Sequence, residues 1–264
     1  MIPERENSGM RIVVKVGTST LAYESGHLNI RHTEELCKVL SDLKNAGHEI
    51  ILVSSGAIGM GVGKLSLKER PTDIPTKQAV AAVGQCELMY TYDRLFSLYH
   101  HNVAQILLTG SDFANEQRHQ NLCNTLLRLL ALGAIPVVNE NDTVATDEIK
   151  VGDNDTLSAL VAVSTGADLL ILLSDIDGLY TADPHRDASA GLIERVACIT
   201  PEILALGGES GSHLGTGGMA TKLAAAQRCT ENGCDMIIAN GSHPELLYAI
   251  VDGESVGTRF LAKK

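Results

Sequence analysis

The sequence is poor in aromatic residues and contains no tryptophan. Phe, Trp and Tyr account for 3% of its 264 residues, whereas 44% of all residues are hydrophobic. The core must therefore be built mainly from aliphatic side chains and alanine. A chain of this length and composition suffices for one large α/β domain or two small ones, with a sizeable core in either case.

The sequence also lacks an excess of positive charge and a long hydrophobic run. Its formal charge of −11 argues against nucleic acid or an anionic membrane as a main partner, because both attract clustered Lys and Arg. No apolar run reaches the roughly 18 residues of a membrane-spanning helix, and the polar residues 1–10 lack the hydrophobic region of a signal peptide. We predict a cytoplasmic protein with a disordered leader over residues 1–10 and a single domain over residues 11–264.

A Cys-X-X-Cys motif is absent as well. The six cysteines fall singly in apolar contexts, at positions 37, 86, 123, 198, 229 and 234. Zinc sites and disulfide frameworks use paired or regularly spaced cysteines. The pattern therefore predicts buried free thiols.

Strand-like and helical segments alternate along the chain. The clearest apolar strand candidates are 11–16, 49–53, 103–108, 135–138 and 169–174. Such alternation predicts an α/β fold in which a mostly parallel, open sheet lies between two helical layers, a three-layer αβα sandwich. The polar segment 109–120 is predicted to be a loop.

Two groups of polar residues lie on one strand-to-helix connection, within residues 136–155. Asn139 to Asp142 follow an apolar strand directly, and Asp153 to Asp155 precede a helical pattern. Either group alone is explained as a turn or a helix cap. The presence of both groups on one connection favours a ligand site, because ligands of α/β sheets bind beyond the carboxyl ends of the strands. Residues 143–152, between the two groups, are predicted to form a hairpin.

Two lysines stand close to glycine-rich turns. Lys15 interrupts the first apolar strand and precedes Gly17, and Lys222 follows the loop GTGGMAT at 215–221. A lysine in a buried strand either extends to the sheet edge or meets an anion, and bare amides at a helix start suit phosphate oxygens. Parallel strands would bring these groups to one edge of the sheet, where two cations and amide donors suit a polyphosphate.

Several sequence blocks together resemble the amino-acid kinase family. They are KVGTS at 15–19, SSGAIGMG at 54–61, NENDTVAT at 139–146, EIKVGDND at 148–155, LLSDIDGLYTADP at 172–184 and GTGGMATK at 215–222. The resemblance runs in order from Arg11 to Phe260 and implies a sheet of about eight strands. The NEND and EIKVGDND blocks resemble the branch that uses ATP, carried with Mg²⁺, to phosphorylate the side-chain carboxylate of L-glutamate, the first step of proline biosynthesis.

The resemblance implies roles for individual residues. Lys15 and Lys222 match lysines that contact the transferring phosphoryl group, and Asp155 resembles an acid that orients these lysines or Mg²⁺. The glutamate site, in the N-terminal half, is expected at Ser55, Gly56, Ala57, Asn139, Asp142 and Asn154. The ATP site, in the C-terminal half, is expected at Lys15, Gly17, Ser174, Asp175, Thr216, Gly217, Gly218, Met219, Ala220, Thr221 and Lys222.

The resemblance also implies partners. They are proline as a feedback inhibitor, other copies of the chain in a dimer or tetramer, and glutamyl phosphate reductase as the acceptor of the product. The polar segment 109–120 is a candidate regulatory loop. Many family members carry a further C-terminal PUA domain related to RNA-modifying enzymes, whereas this sequence stops at Lys264.

The sequence is also compatible with two other functions. One is a kinase of the same family with another acceptor, namely acetylglutamate, aspartate, carbamate or UMP; Asp142 favours an acceptor that carries a free amine. The other is a nucleotide-binding protein without catalytic activity on the same fold, against which the two lysines argue. A dinucleotide-dependent dehydrogenase is disfavoured, because no GxGxxG motif follows the first strand.

Overall fold

A computed structural model describes residues 9–23, 27–145, 153–184, 186–187, 189–208 and 218–263. Its strands join in one eight-stranded sheet, and every strand pair is parallel except β7 with β8. The strands are β1 (Arg11–Val16), β2 (Glu49–Ser54), β3 (Val103–Leu108), β4 (Ile135–Glu140), β5 (Leu169–Ser174), β6 (Arg195–Val196), β7 (Asp235–Asn240) and β8 (Thr258–Phe260). The prediction of an open, mostly parallel sheet of about eight strands is confirmed.

The strand order β3-β4-β2-β1-β5-β7-β8-β6 divides the sheet into two halves. Strands β1 to β4 form one half, and β5 to β8 form the other. The first strand thus lies at the centre, between β2 and β5. Chain connections leave this central region toward opposite sides of the sheet, which is the arrangement that opens a ligand crevice at the carboxyl ends of the strands.

Ten helices are described. They are α1 (Thr18–Leu21), α2 (Ile30–Asn45), α3 (Ala57–Lys64), α4 (Ile74–Ser97), α5 (Gly110–Ala114), α6 (Glu116–Ala131), α7 (Asn154–Thr165), α8 (Pro201–Ala205), α9 (Met219–Glu231) and α10 (Leu246–Val251). Buried side chains of α2, α4 and α10 share one hydrophobic cluster with the sheet. Those of α6, α7 and α9 share a second cluster, so the sheet lies between two helical layers, as predicted. Within the described residues, no helix is both long and apolar enough to cross a membrane.

The alternation of side chains along β1 decides what Lys15 faces. Successive side chains of a strand point to opposite faces of the sheet. Ile12 and Val14 belong to the cluster with α2 and α4, whereas Val13 belongs to the cluster with α7 and α9. Lys15 is two residues beyond Val13, and its side chain therefore extends to the face covered by α7 and α9.

The prediction of a loop over residues 109–120 is wrong. The segment holds the short helix α5 and the first residues of α6. Thr109 begins α5 through a capping box with Asp112, and Asn115 caps α6 by accepting from the amide of Arg118. These short polar side chains satisfy the first amides of each helix. Polarity at an exposed helix surface therefore resembled the polarity of a loop.

The cysteine prediction is confirmed in one respect and wrong in another. All six cysteines are free, and Cys37, Cys229 and Cys234 are buried. Cys86 and Cys198 are exposed, contrary to the prediction. Cys86 lies on α4 between the buried residues Gln85 and Leu88 but is itself exposed, so an apolar neighbourhood in sequence did not imply burial.

Two further predictions concern residues that are only partly described. In the predicted leader, residues 1–8 lie outside the described residues, whereas the amide of Met10 donates to Nδ1 of His48 over 3.1 Å. In the predicted hairpin 143–152, residues 146–152 lie outside the described residues. Residues 143–145 continue a turn that begins at Asn141, with the amide of Ala145 donating to the carbonyl oxygen of Asn141.

Candidate active site

A buried carboxylate joins two lysines at the carboxyl edge of the sheet. Lys15 Nζ lies 2.7 Å from Oδ1 of Asp155, and Lys222 Nζ lies 3.0 Å from Oδ2. The Asp155 side chain is 1% exposed, and those of Lys15 and Lys222 are 11% and 7% exposed. Two ammonium groups are thereby held side by side, next to the end of β1.

Each member of this triad is positioned by the start or end of an element. Asp153 caps α7 by accepting from the amide of Thr156 over 2.8 Å, and this places Asp155 in the first turn, where the helix dipole favours negative charge. Lys222 lies in the first turns of α9, and α7 packs directly against α9. Oγ1 of Thr221, one residue earlier, lies 3.1 Å from Oδ2 of Asp155.

The electrostatic balance keeps Asp155 ionised. Burial alone would raise the pKa of its carboxyl group, but the ammonium groups of Lys15 and Lys222 outweigh that effect and hold the pKa below its ordinary value. A buried carboxylate that carries two cations has a net local charge of +1. The cluster is therefore suited to receive a further anion.

A chain of side-chain amides runs away from this triad. Nδ2 of Asn154 donates to Oγ of Ser55 over 2.7 Å and to Oδ1 of Asn139 over 3.1 Å. Nδ2 of Asn139 in turn donates to Oε1 of Gln85, at 2.9 Å. Four elements, α7, β4, α4 and the end of β2, are thus connected by one network that begins beside Asp155.

A small pocket lies at the far end of the amide network. Its lining includes Gln85 and Ala57 together with the residues that end β4 and follow it, Glu140, Asn141, Asp142 and Thr143. Gln78, on the same helix as Gln85, donates to the carbonyl oxygen of Ala145 over 3.3 Å. Helix α4 therefore forms a wall against the segment that carries Asp142.

At two positions of the site, the backbone conformation or the available space favours glycine over a larger residue. Gly56 caps α3 with φ +107°, a backbone conformation that glycine adopts without strain. A Cβ at Gly17 would lie 3.8 Å from Nζ of Lys15. The bare backbone at Gly17 therefore leaves space beside an ammonium group, which is what close approach of a ligand requires.

The residues predicted to bind ATP divide into two groups. Ser174 ends β5, and its Oγ donates to Oδ1 of Asp175 over 3.0 Å. Gly218, Met219, Ala220 and Thr221 form the cap and first turn of α9, where no side chain of a described residue caps the helix. The structure thus brings Thr221 and Lys222 to Lys15 through Asp155, whereas Ser174 and Asp175 contact each other at the end of β5. Thr216 and Gly217 lie outside the described residues.

Sequence reasoning missed Gln85. It is 7% exposed and lies on α4 between Ala81 and Leu88, both of which are buried. A polar side chain within an apolar helical stripe was the signal that could have identified it, because buried polar groups need a partner.

The described residues do not form a resident metal centre. Among them, no group of three or more His, Cys, Asp or Glu side chains is arranged to hold a metal ion. Both oxygens of Asp155 are engaged by lysines.

Known proteins resemble this chain in sequence and in fold. Residues 10–240 match the sequence pattern of the amino acid kinase family. The chain is 55% identical to a glutamate 5-kinase of Clostridium perfringens, over 96% of each chain. It is 53% identical to a glutamate 5-kinase of Listeria monocytogenes, over 99% of this chain and 96% of the relative. A carbamate kinase of Giardia lamblia solved with AMP-PNP shares the fold, with a TM-score of 0.69 at 15% identity over 97% of this chain and 99% of that one.

Proposed function

Because the chain belongs to the amino acid kinase family, we propose that it transfers the γ-phosphoryl group of ATP to the side-chain carboxylate of L-glutamate. The products are L-glutamyl 5-phosphate and ADP, and the reaction is the first step of proline biosynthesis. The observation that carries the proposal is the pair of buried lysines on Asp155. It is supported by relatives at 53–55% identity that are named glutamate 5-kinase.

The reaction forms one P–O bond and breaks another. An oxygen of the glutamate side-chain carboxylate attacks the γ-phosphorus of ATP, and the bond from that phosphorus to the β,γ-bridging oxygen breaks, so that ADP leaves with the electron pair. The carboxylate has an ordinary pKa of about 4.3 and is already ionised at neutral pH. No general base is needed, and the main obstacle is repulsion between two anions.

Lys15 and Lys222 supply the positive charge that opposes this repulsion. Their ammonium groups are fixed by Asp155 before any substrate binds, so the protein does not have to reorganise as charge develops. We assign Asp155 to orienting the two lysines, because both of its oxygens pair with them. The uncapped amides at the start of α9 and the bare backbone at Gly17 offer additional donors to phosphate oxygens.

Mg²⁺ enters the proposal as part of the ATP complex. When bound, it neutralises charge on the phosphates and holds them in line. The residues assigned to the nucleotide are Gly17, Ser174, Asp175 and the start of α9, from Gly218 to Lys222. Thr216 and Gly217 complete this assignment from outside the described residues.

Glutamate is assigned to the network that begins at Asn154. Ser55, Asn139 and Asn154 are connected by hydrogen bonds, and Ser55 lies at the end of β2, beside Gly56 and Ala57 at the start of α3. Asp142 is assigned to the α-ammonium group of glutamate, because a carboxylate is the natural partner of a cationic amine.

A hydroxamate-trapping assay tests the function. Purified protein is incubated with ATP, Mg²⁺, hydroxylamine and one acceptor at a time: glutamate, aspartate, acetylglutamate, carbamate or UMP. We expect glutamyl hydroxamate from glutamate, because hydroxylamine captures the acyl phosphate, and ADP release with glutamate above that with the other acceptors. ATP binding without any transfer would instead identify a nucleotide-binding protein without catalysis, and transfer to another acceptor would reassign the substrate.

The proposal extends to three partners that follow from the family. We propose that the chain assembles as a dimer or tetramer, that proline inhibits it, and that glutamyl phosphate reductase consumes its product. Light scattering measures the assembly, and adding proline to the same assay measures inhibition. A monomer at working concentration, or activity that proline does not lower, would remove the corresponding part of the proposal.

A further inference from the structure

The buried side-chain amide of Gln85 has a hydrogen-bond partner for its oxygen but none, among the described residues, for its nitrogen. Its Oε1 accepts from Nδ2 of Asn139 over 2.9 Å. Its Nε2 is shielded from solvent and has no hydrogen-bond partner among the described residues. Buried amide donors are paired in the great majority of cases, because leaving one unpaired costs free energy. Because Gln85 also lines the small cavity next to Asp142, an acceptor atom brought by a ligand would satisfy this donor.

The orientation of the Gln85 amide follows from the network. Asn154 donates to Asn139, and Asn139 donates to Gln85. Each amide nitrogen in the series therefore donates to the oxygen of the next amide. The oxygen of Gln85 is thereby turned toward Asn139, and the nitrogen on the same carbon is turned away from it. Gln85 lines the pocket that Ala57 and Asp142 also line.

Close backbone packing fixes Gln85 in that pocket. A Cβ on Gly84 would overlap the carbonyl oxygen of Ala57, and a Cβ on Gly61 would overlap that of Val80. Helices α3 and α4 therefore approach to backbone contact at these glycines. Gly84 therefore lies against Ala57, and the next residue, Gln85, lines the pocket together with Ala57. The Gln85 side chain is 7% exposed, so packing restricts it, which is the preorganisation that a selective contact needs.

We propose that Gln85 recognises the α-carboxylate of the amino-acid substrate by donating from Nε2, so that it selects acceptors with a free carboxylate at the α-carbon. This inference rests on the proposed function. Asp142, assigned to the α-ammonium group, lines the same pocket as Gln85, so both charges of an amino-acid head meet a complementary group there. The reacting carboxylate belongs at the other end of the network, where Asn154 adjoins Asp155.

The position of Gln85 in the network argues against contact with the reacting carboxylate. Asn154 lies next to Asp155 in α7, Asn139 is one hydrogen bond further, and Gln85 is two hydrogen bonds further. Asn139 lies on β4, two strands away from the strand of Lys15, and Gln85 lies on α4, which covers the opposite face of the sheet from α7 and α9. Gln85 therefore meets the part of the substrate that does not react, and its loss should weaken recognition of the head more than it slows phosphoryl transfer.

The test compares L-glutamate with its α-amide, which keeps the side-chain carboxylate and replaces only the α-carboxylate by a carboxamide. ADP release is measured for the wild type, Gln85→Met and Gln85→Glu, and the ratio of kcat/KM for the two acceptors is taken within each preparation. A ratio of this kind does not depend on the fraction of folded enzyme. Gln120→Met is the matched control, because Gln120 is an exposed glutamine on α6 whose Nε2 donates to Asn124.

We expect the wild type to prefer glutamate, and Gln85→Met to reduce that preference roughly 10- to 100-fold, mainly through a higher KM for glutamate. Gln85→Glu should reduce it further, because the new carboxylate repels the α-carboxylate and accepts from the carboxamide. Gln120→Met should keep the wild-type ratio.

Three outcomes separate the hypotheses. No ADP release by the wild type with glutamate would overturn the proposed function itself. A wild type that uses the α-amide as well as glutamate would overturn the role of Gln85 without any variant. An active wild type with an unchanged ratio in Gln85→Met or Gln85→Glu would overturn it too and would assign the amide to a bound water.

Discussion

Lys15 and Lys222 pair with opposite oxygens of one buried carboxylate, that of Asp155. The two lysines come from the first strand and from a late helix, β1 and α9, so segments far apart in the sequence build one cluster. The carboxylate reduces the repulsion between them at the cost of its own hydration. The arrangement leaves a positively charged site where two anions have to approach each other.

Loss of Lys222 should slow transfer far more than it weakens nucleotide binding. Lys222→Ala removes one preorganised cation, and we expect kcat to fall roughly 10²- to 10³-fold or more, with a much smaller change in the KM for ATP. Steady-state ADP release at saturating glutamate measures both. Near-normal turnover would remove the assigned role.

Replacing the shared carboxylate should affect folding as well as catalysis. Asp155→Asn keeps the shape of the side chain but leaves two lysines without their anion, and removing one partner of a buried ion pair typically costs about 3–5 kcal/mol. We expect a lower free energy of unfolding in urea titrations, together with a lower kcat. An unchanged urea midpoint would show that the ion pairs contribute little to stability.

The contribution of Asp155 to stability should depend on pH in a defined direction. Its pKa in the folded protein lies below the ordinary value of about 3.9, so the unfolded chain binds more protons as the pH falls past that value. The stabilisation is fully present above about pH 5 and is lost as the pH falls through the folded pKa. The difference in unfolding free energy between wild type and Asp155→Asn should therefore be constant from pH 5 to 7 and shrink below about pH 4. A difference that grows on acidification would contradict the assignment.

Asp142 should control affinity for the acceptor and leave that for ATP nearly unchanged. Asp142→Ala removes the anion assigned to the α-ammonium group, and hydrogen bonds to charged groups contribute about 1.5–3 kcal/mol. We expect the KM for glutamate to rise roughly 10-fold or more while the KM for ATP stays within a factor of about two. Equal increases in both would indicate a general distortion instead.

A methyl group added at the backbone contact between α3 and α4 should lower the stability of the protein. Gly84→Ala would force the two helices apart, because its Cβ would overlap the carbonyl oxygen of Ala57. We expect a loss of roughly 1–3 kcal/mol of stability and a higher KM for glutamate, measured by urea unfolding and by ADP release. Gly191→Ala is the control, since a Cβ there meets nothing within 4 Å, and its stability should stay close to that of the wild type.

The main features of the fold could be predicted from local patterns in the sequence. The apolar run at 169–174 predicts a strand covered on both faces, and β5 is buried at every position. The convergence of Lys15 and the first turn of α7 followed from a general rule on the ends of parallel strands. The roles of these side chains in catalysis and binding stay a prediction.

Other features depended on contacts between distant segments. The antiparallel pairing of β8 with β7 and the role of Gln85 in the amide network both follow from tertiary packing. Gln85 lies among small and apolar residues in the middle of α4, so one polar side chain at that position carried little weight in a periodicity argument. The capped helices over 109–120 were missed because their exposed surface is polar throughout.

The first turn of α7 contains both Asn154, which belongs to the amide network, and Asp155, which holds the lysines. Any substitution that tilts this turn to fit a different acceptor would also shift the cations, so altered selectivity obtained there would be accompanied by slower chemistry. Helix α4 has no residue in the lysine cluster. Attempts to change the acceptor specificity of the enzyme should therefore begin at Gln85 and its neighbours on α4. Substitutions there can change selectivity without moving the lysines that promote phosphoryl transfer.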